Sequence, residues 1–178
     1  MGDQILLYIS AVSDLKNERE LISRAIPEIP VTLRWRIVLS PKYGDIVDKD
    51  AIANADVYVL MLGSDIQAPV GYELRVAQQS GSQMLLLLKE GVKRTSAARN
   101  FIRFVEHYFS WDRFSEGSTL RYKVYNLLAN HILEHKTYYA LSREEYEQLD
   151  QRIRLILLFF MIAIKKVILH YTIWRILS

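Results

Sequence analysis

Residues 55–90 read ADVYVLMLGSDIQAPVGYELRVAQQSGSQMLLLLKE. Val57 to Leu62 is an unbroken apolar run, short enough for a strand and rich in β-forming side chains. Gly63-Ser64-Asp65 stops it, and Pro69 and Gly71 punctuate the loop that follows. Tyr72 to Gln79 carries Leu74 and Ala77 at helical spacing, with Glu73 in the expected first turn, and Gly81 is placed as a C-cap. Met84 to Leu88 is a second continuous apolar run. Strands that are apolar throughout, rather than alternating, are buried on both faces, as in a parallel sheet covered by helices. Ligands of such sheets bind beyond the carboxyl ends of the strands. The loop 63–71 lies at that edge.

Outward from this unit, the same grammar repeats. Ile5 to Ser10 is a strand, followed by a helix over LKNERELISRAI with Ser13 or Asp14 as N-cap and Pro27 beyond its end. Leu33 to Leu39 is a strand near the sheet edge, Ser40 to Asp45 a loop and Ile46 to Asn54 a short helix. Beyond residue 90 come a helix over 97–105, a strand at Tyr108-Phe109-Ser110-Trp111 and a helix reaching His135. The expected strands are therefore 5–10, 33–39, 57–62, 84–88 and 108–111. Alternating β and α elements predict an α/β, flavodoxin-like, five-stranded parallel sheet of order 2-1-3-4-5, with the 57–62 strand at its centre. The expected organisation is an α/β domain over 1–136 and a helical, hydrophobic C-terminal extension over 137–178.

The extension has two parts. Ser142-Arg143-Glu144-Glu145 has the form of a capping box and opens a mostly polar helix. From Leu155 the chain becomes LILLFFMIAI, then Lys165-Lys166, then VILHYTIW. The longest charge-free run is ten residues, about half of what a spanning helix needs. A helix covered by a second copy or by the sheet domain, and a helix lying on a membrane surface, both suit this pattern.

Composition narrows the chemistry. The 178 residues are 51% hydrophobic and 24% charged, with a net charge of +3 and no cysteine. Thiolate nucleophiles, thiolate metal sites and disulfides are excluded, and a reducing, cytoplasmic setting is expected, with membrane association through the C-terminal helix as the variant. The mild charge gives no reason to expect a nucleic-acid partner. His131 and His135 stand four apart on a helix, but with only Glu134 beside them no metal site is expected.

The segments YISAVSDLKNERELI, ADVYVLMLGSD and GYELRVAQQSGSQMLLLLK, in this order and spacing, resemble a domain found at the N-terminus of many bacterial and animal multidomain signalling proteins. That domain is similar in turn to Toll/interleukin-1 receptor (TIR) domains and to nucleoside 2-deoxyribosyltransferases. The likeness covers roughly residues 4–114, with Asp14-Leu15, Glu18-Arg19 and Glu73 in Y-E-L-R-x-A as its most specific points. The second serine of the family's usual pair is Ala11 here, the threonine before the helical glutamate is replaced, and the preceding loop is shortened to IQAPVG.

The resemblance implies cleavage of an N-glycosidic bond in NAD or another nucleotide as substrate, with no cofactor and with Glu73 as the catalytic carboxylate. A carboxylate there stabilises or attacks the oxocarbenium-like anomeric carbon. The alternative for Glu73 is an acid that favours a helix N-terminus. Candidate nucleotide-binding residues are Ser10 and Ser13 in the first turn, Lys42 and Tyr43 after the second strand, and Gly63, Ser64 and Asp65 after the third. Each of these turns also reads as ordinary capping or loop chemistry. Trp111 and Asp112 would close the cleft, or fill core. The resemblance also leaves open a non-catalytic TIR-like signalling module. In either case a homo-oligomer, or contact with a membrane or a partner through 154–178, is expected.

Overall fold

The computed structural model describes residues 2–40, 47–155 and 158. Five strands form one sheet in the order β2-β1-β3-β4-β5, every pair parallel: β1 (Gln4–Ala11), β2 (Arg34–Ser40), β3 (Val57–Leu62), β4 (Gln83–Lys89) and β5 (Asp112–Phe114). This is the expected α/β, flavodoxin-like order, with β3 central. All six residues of β3 are buried, as are residues 5–11 of β1. That accounts for their lack of alternation, because both faces are covered.

The helices are α1 (Lys16–Ala25), α2 (Lys49–Ala53), α3 (Ala68–Ser80), α4 (Ser96–Glu106), α5 (Gly117–Glu134) and α6 (residues 143–155). α1 packs with α5 and α2 with α3. Right-handed crossovers put α1 on one face of the sheet and α2 and α3 on the other. Gly81 ends α3 with φ of 74°, the left-handed conformation of a glycine C-cap.

Two elements differ most from the sequence expectation, and α2 is shorter than expected, starting at Lys49 with Asp48 as its N-cap. β5 begins at Asp112 rather than Tyr108, because pairing with β4 starts at Leu87↔Asp112. Tyr108 and Phe109 instead close the turn after α4, both N–H groups bonding back to the Val105 carbonyl. α3 begins at Ala68, so Pro69 and Gly71 lie inside it. Proline is at home in a first helical turn, where no N–H is required. Glu73 consequently falls beyond the first turn.

The chain after α5 returns to the same core. Tyr139 and Leu149 are buried in it and Ile153 packs against it. The Gly2 N–H bonds to the Tyr138 carbonyl at 3.0 Å, and Arg152 donates to the Glu28 carbonyl. The capping box forms as expected: the Ser142 N–H and hydroxyl both donate to Glu145, and the Glu145 N–H returns to the Ser142 hydroxyl. Glu145 also accepts the Thr32 N–H at 2.7 Å and its hydroxyl at 2.8 Å. Partial burial pulls the Glu145 carboxyl up, but these donors outweigh it and hold it at about 2. The expectation of a covered apolar helix falls mostly on residues 156–157 and 159–178, outside the described residues. Leu155 and Leu158 are exposed. Among the described residues no helix is long and apolar enough to cross a membrane.

Candidate functional site

The parallel register builds the site. Tyr8 and Ser10, two apart on β1, face the same way. Ser10 stands opposite Ser40, the last residue of β2, and Tyr8 stands opposite Tyr58 of β3. The Tyr8 and Tyr58 rings stack with centroids 5.8 Å apart and planes 16° apart. α3 lies over this face and lowers Glu73 onto it. One carboxylate oxygen, Oε1, accepts the Tyr8 hydroxyl at 3.1 Å and the Ser40 hydroxyl; Oε2 accepts the Ser10 hydroxyl. Glu73 is 0% exposed. No lysine or arginine pairs with it among the described residues. Burial pushes the Tyr8 phenol up, with the Glu73 charge adding to it, and burial does the same to Tyr58.

Glu73 and Ser10 are thus brought together at the carboxyl ends of β1 and β2. Ser64 is directed elsewhere. Its N–H donates to Asp14 Oδ2 at 2.7 Å, and its hydroxyl donates to the same oxygen. Asp65 accepts the Thr95 hydroxyl at 2.7 Å, and that bond, followed by the Ile66 N–H, holds its carboxyl below the usual range. The Thr95 N–H in turn reaches the Ser64 carbonyl at 2.9 Å. Gly63 is buried against Asp14. The loop after β3 therefore ties together the turns after β1 and β4. Asp14 spends its carboxylate on this tie; α1 has Leu15 at its N-cap and no side-chain cap. Of Ser13 only the backbone is described, in a 3-10 turn ahead of α1. Lys42 and Tyr43 lie outside the described residues.

Glu18 and Lys89 add a partly buried ion pair of 2.6 Å at this edge. Trp111 packs beside Leu62, Leu88 and Ile102, as a core residue does, and Asp112 pairs with Lys123.

Ser40 and Tyr8 were not singled out from sequence. A signal existed: once β1 and β2 are neighbours, a serine one residue from the end of β1 and a serine ending β2 place two hydroxyls side by side.

At the opposite edge of the sheet, His131 is buried with both ring nitrogens engaged, Nδ1 to Gln83 at 2.8 Å and Nε2 to the Tyr139 hydroxyl at 2.9 Å. The His135 ring lies 4.4 Å from it, tilted by 32°. Burial, then the neighbouring His135, pull the His131 imidazole below its ordinary value. A cavity of roughly 520 Å³ opens here between Asp56, Gln83, Glu134 and Tyr138. Among the described residues no cluster of three or more histidine or carboxylate side chains could hold a metal.

No protein-family model and no curated protein sequence matches the chain. Among solved structures, the chain is similar to a CMP N-glycosidase of Clostridium botulinum, at 18% identity and TM-score 0.46, over 66% of this chain and 97% of that one. It is also similar to the RPS4 and RRS1 TIR domain heterodimer, at 14% identity and TM-score 0.49, over 72% of this chain and 99% of that one.

Proposed function

We propose that the chain is a TIR-like nucleotide N-glycosidase, cleaving NAD or a related nucleotide, with Glu73 as the catalytic carboxylate. The observation that carries this reading is a carboxylate gathered with three hydroxyls, and no cation among the described residues, at the carboxyl ends of two parallel strands. A fold gains little from such a group. Burying a carboxylate is costly, and an apolar side chain would fill the same space at least as stably. In glycosyl chemistry the group has a use: it supplies negative charge to an anomeric carbon that becomes positive in the transition state. Tyr8 and Ser10 fix its orientation, so little reorganisation is needed as charge develops. Residues after β2, with Lys42 and Tyr43 among them, would receive the nucleotide, and assembly through 154–178 would activate the protein. The test is NAD turnover by concentrated full-length protein and by Glu73→Gln. Turnover by the first and not by the second supports the reading; equal turnover, or none from either at any concentration, rejects it.

The complete burial of Glu73 favours a second reading, a TIR-like interaction module without catalysis. It predicts that Glu73→Gln leaves partner or self-association unchanged and that neither protein consumes nucleotide.

A further inference from the structure

Glu73 is 0% exposed, yet a carboxylate that attacks or stabilises an anomeric carbon must come within about 3–3.5 Å of it. Two oxygens offer about four acceptor sites, and three hydroxyls occupy three of them, two on Oε1 and one on Oε2. The three donors are not equally held. Tyr8 and Ser10 sit on β1, which is paired on one side by β2 and on the other by β3. Tyr8 is further fixed by its stack on Tyr58. Ser40 is the last residue of β2, an edge strand paired to β1 alone. It is also 8% exposed, where Tyr8 and Ser10 are 0% exposed. Of the three donors it moves at least cost.

We propose that Ser40 is an inhibitory cap: its hydroxyl occupies the acceptor position on Glu73 Oε1 that substrate needs, and the site opens when the end of β2 releases that bond. This rests on the glycosidase assignment of Glu73 but concerns its regulation. The cap is a hydrogen bond between two side chains and can be removed without touching the carboxylate or its β1 donors.

The test reads accessibility of Glu73 directly. Full-length wild type, Ser40→Ala and Ser10→Ala are treated with a water-soluble carbodiimide and glycine amide, and coupling at Glu73 is followed by peptide mass spectrometry. The expected result is coupling about tenfold faster in Ser40→Ala, the scale of one hydrogen bond to a carboxylate, lost here at the free end of the edge strand; Ser10→Ala, which loses its bond inside the sheet, should stay close to wild type. Ser40→Cys, which keeps the volume and weakens the donor, should fall between; it decides the matter if Ser40→Ala does not fold. Coupling no faster in either Ser40 variant overturns the proposal. NAD turnover by the same samples separates the two ideas. Faster coupling with no turnover by any sample rejects the glycosidase, and the inhibitory role with it; turnover by wild type with unchanged coupling rejects the cap alone.

Discussion

The Asp14 carboxylate accepts the backbone N–H of Ser64 at 2.7 Å and stands where any side chain at position 63 would have to go. A Cβ on Gly63 would lie 2.5 Å from Asp14 Oδ2. The turn after β1 and the loop after β3 therefore share one carboxylate, and the glycine between strand and loop is what admits it.

Gly63→Ala should cost about 1 kcal/mol of unfolding free energy, the low end for overpacking, because the atoms it meets are the free end of the exposed Asp14 side chain. Asp14→Ala should cost about 0.5–1.5 kcal/mol, because the hydrogen bonds it loses are solvent-exposed. In the double variant the clash has no second partner, so urea melts should show a combined loss well below the sum. Simple additivity would mean that the two residues do not meet as described.

Tyr8→Phe keeps the ring stack on Tyr58 and removes one donor to Glu73. Stability should change by about 1 kcal/mol or less, because Ser10 and Ser40 still hold the carboxylate. NAD turnover should fall about tenfold, the rate equivalent of one hydrogen bond of about 1.4 kcal/mol. Thermal melts and turnover on one preparation check both halves.

His131 gives the protein an acid-sensitive step. Its folded value lies below the ordinary 6.5, from burial first and His135 second, with Asp56 and Glu134 opposing. The unfolded chain thus binds a proton more readily than the folded one. The stabilising contribution is complete above about pH 6.5 and is lost as pH falls toward the lowered folded value. Urea melts from pH 7 to 5 should show this decline, and His131→Gln, which does not titrate, should flatten it. An unchanged slope in the variant would assign the decline to other groups.

Truncation separates the two parts of the extension. Removing 156–178 should leave the sheet and α6 folded, with a change in sedimentation or membrane fractionation as its readout. Removing everything after 136 also takes Tyr139 and Leu149 out of the core. At about 1.5–3 kcal/mol for each large apolar side chain, that deletion should destabilise the sheet itself. Equal melting of both truncations would make the extension a separate unit.

Much of the fold was legible because parallel sheets write themselves as continuous apolar runs: 57–62 and 84–88 lie within strands at almost the same limits. The misses have local causes. Tyr108-Phe109-Ser110-Trp111 has strand composition, but pairing depends on where the helix before it lets go, and that contact with Val105 is not written in propensity. Pro69 signals both a loop and a helix start, and only the backbone decides between them. At the site, Glu73 and Ser10 were legible as motif residues. Tyr8 and Ser40 were not, because a serine at the end of an edge strand gains meaning only from its neighbour in the register. Ser64 lies at the expected edge of the sheet, and its bond to Asp14 was not legible because Asp14 reads equally well as a helix cap.

The clasp between Gly2 and Tyr138, like those from Thr32 to Glu145 and from Arg152 to Glu28, joins residues more than a hundred positions apart. During synthesis all five strands have emerged before residue 138 does, so the sheet can assemble with its first residues still unfastened. Loops that long close late, and the contacts that close them are the natural ones to open first. Amide exchange should rank Gly2 and Thr32 far ahead of the N–H groups of β3. The N-terminal residues and the helix leading toward the apolar tail would then loosen together, as one event, while the sheet beneath them stays shut.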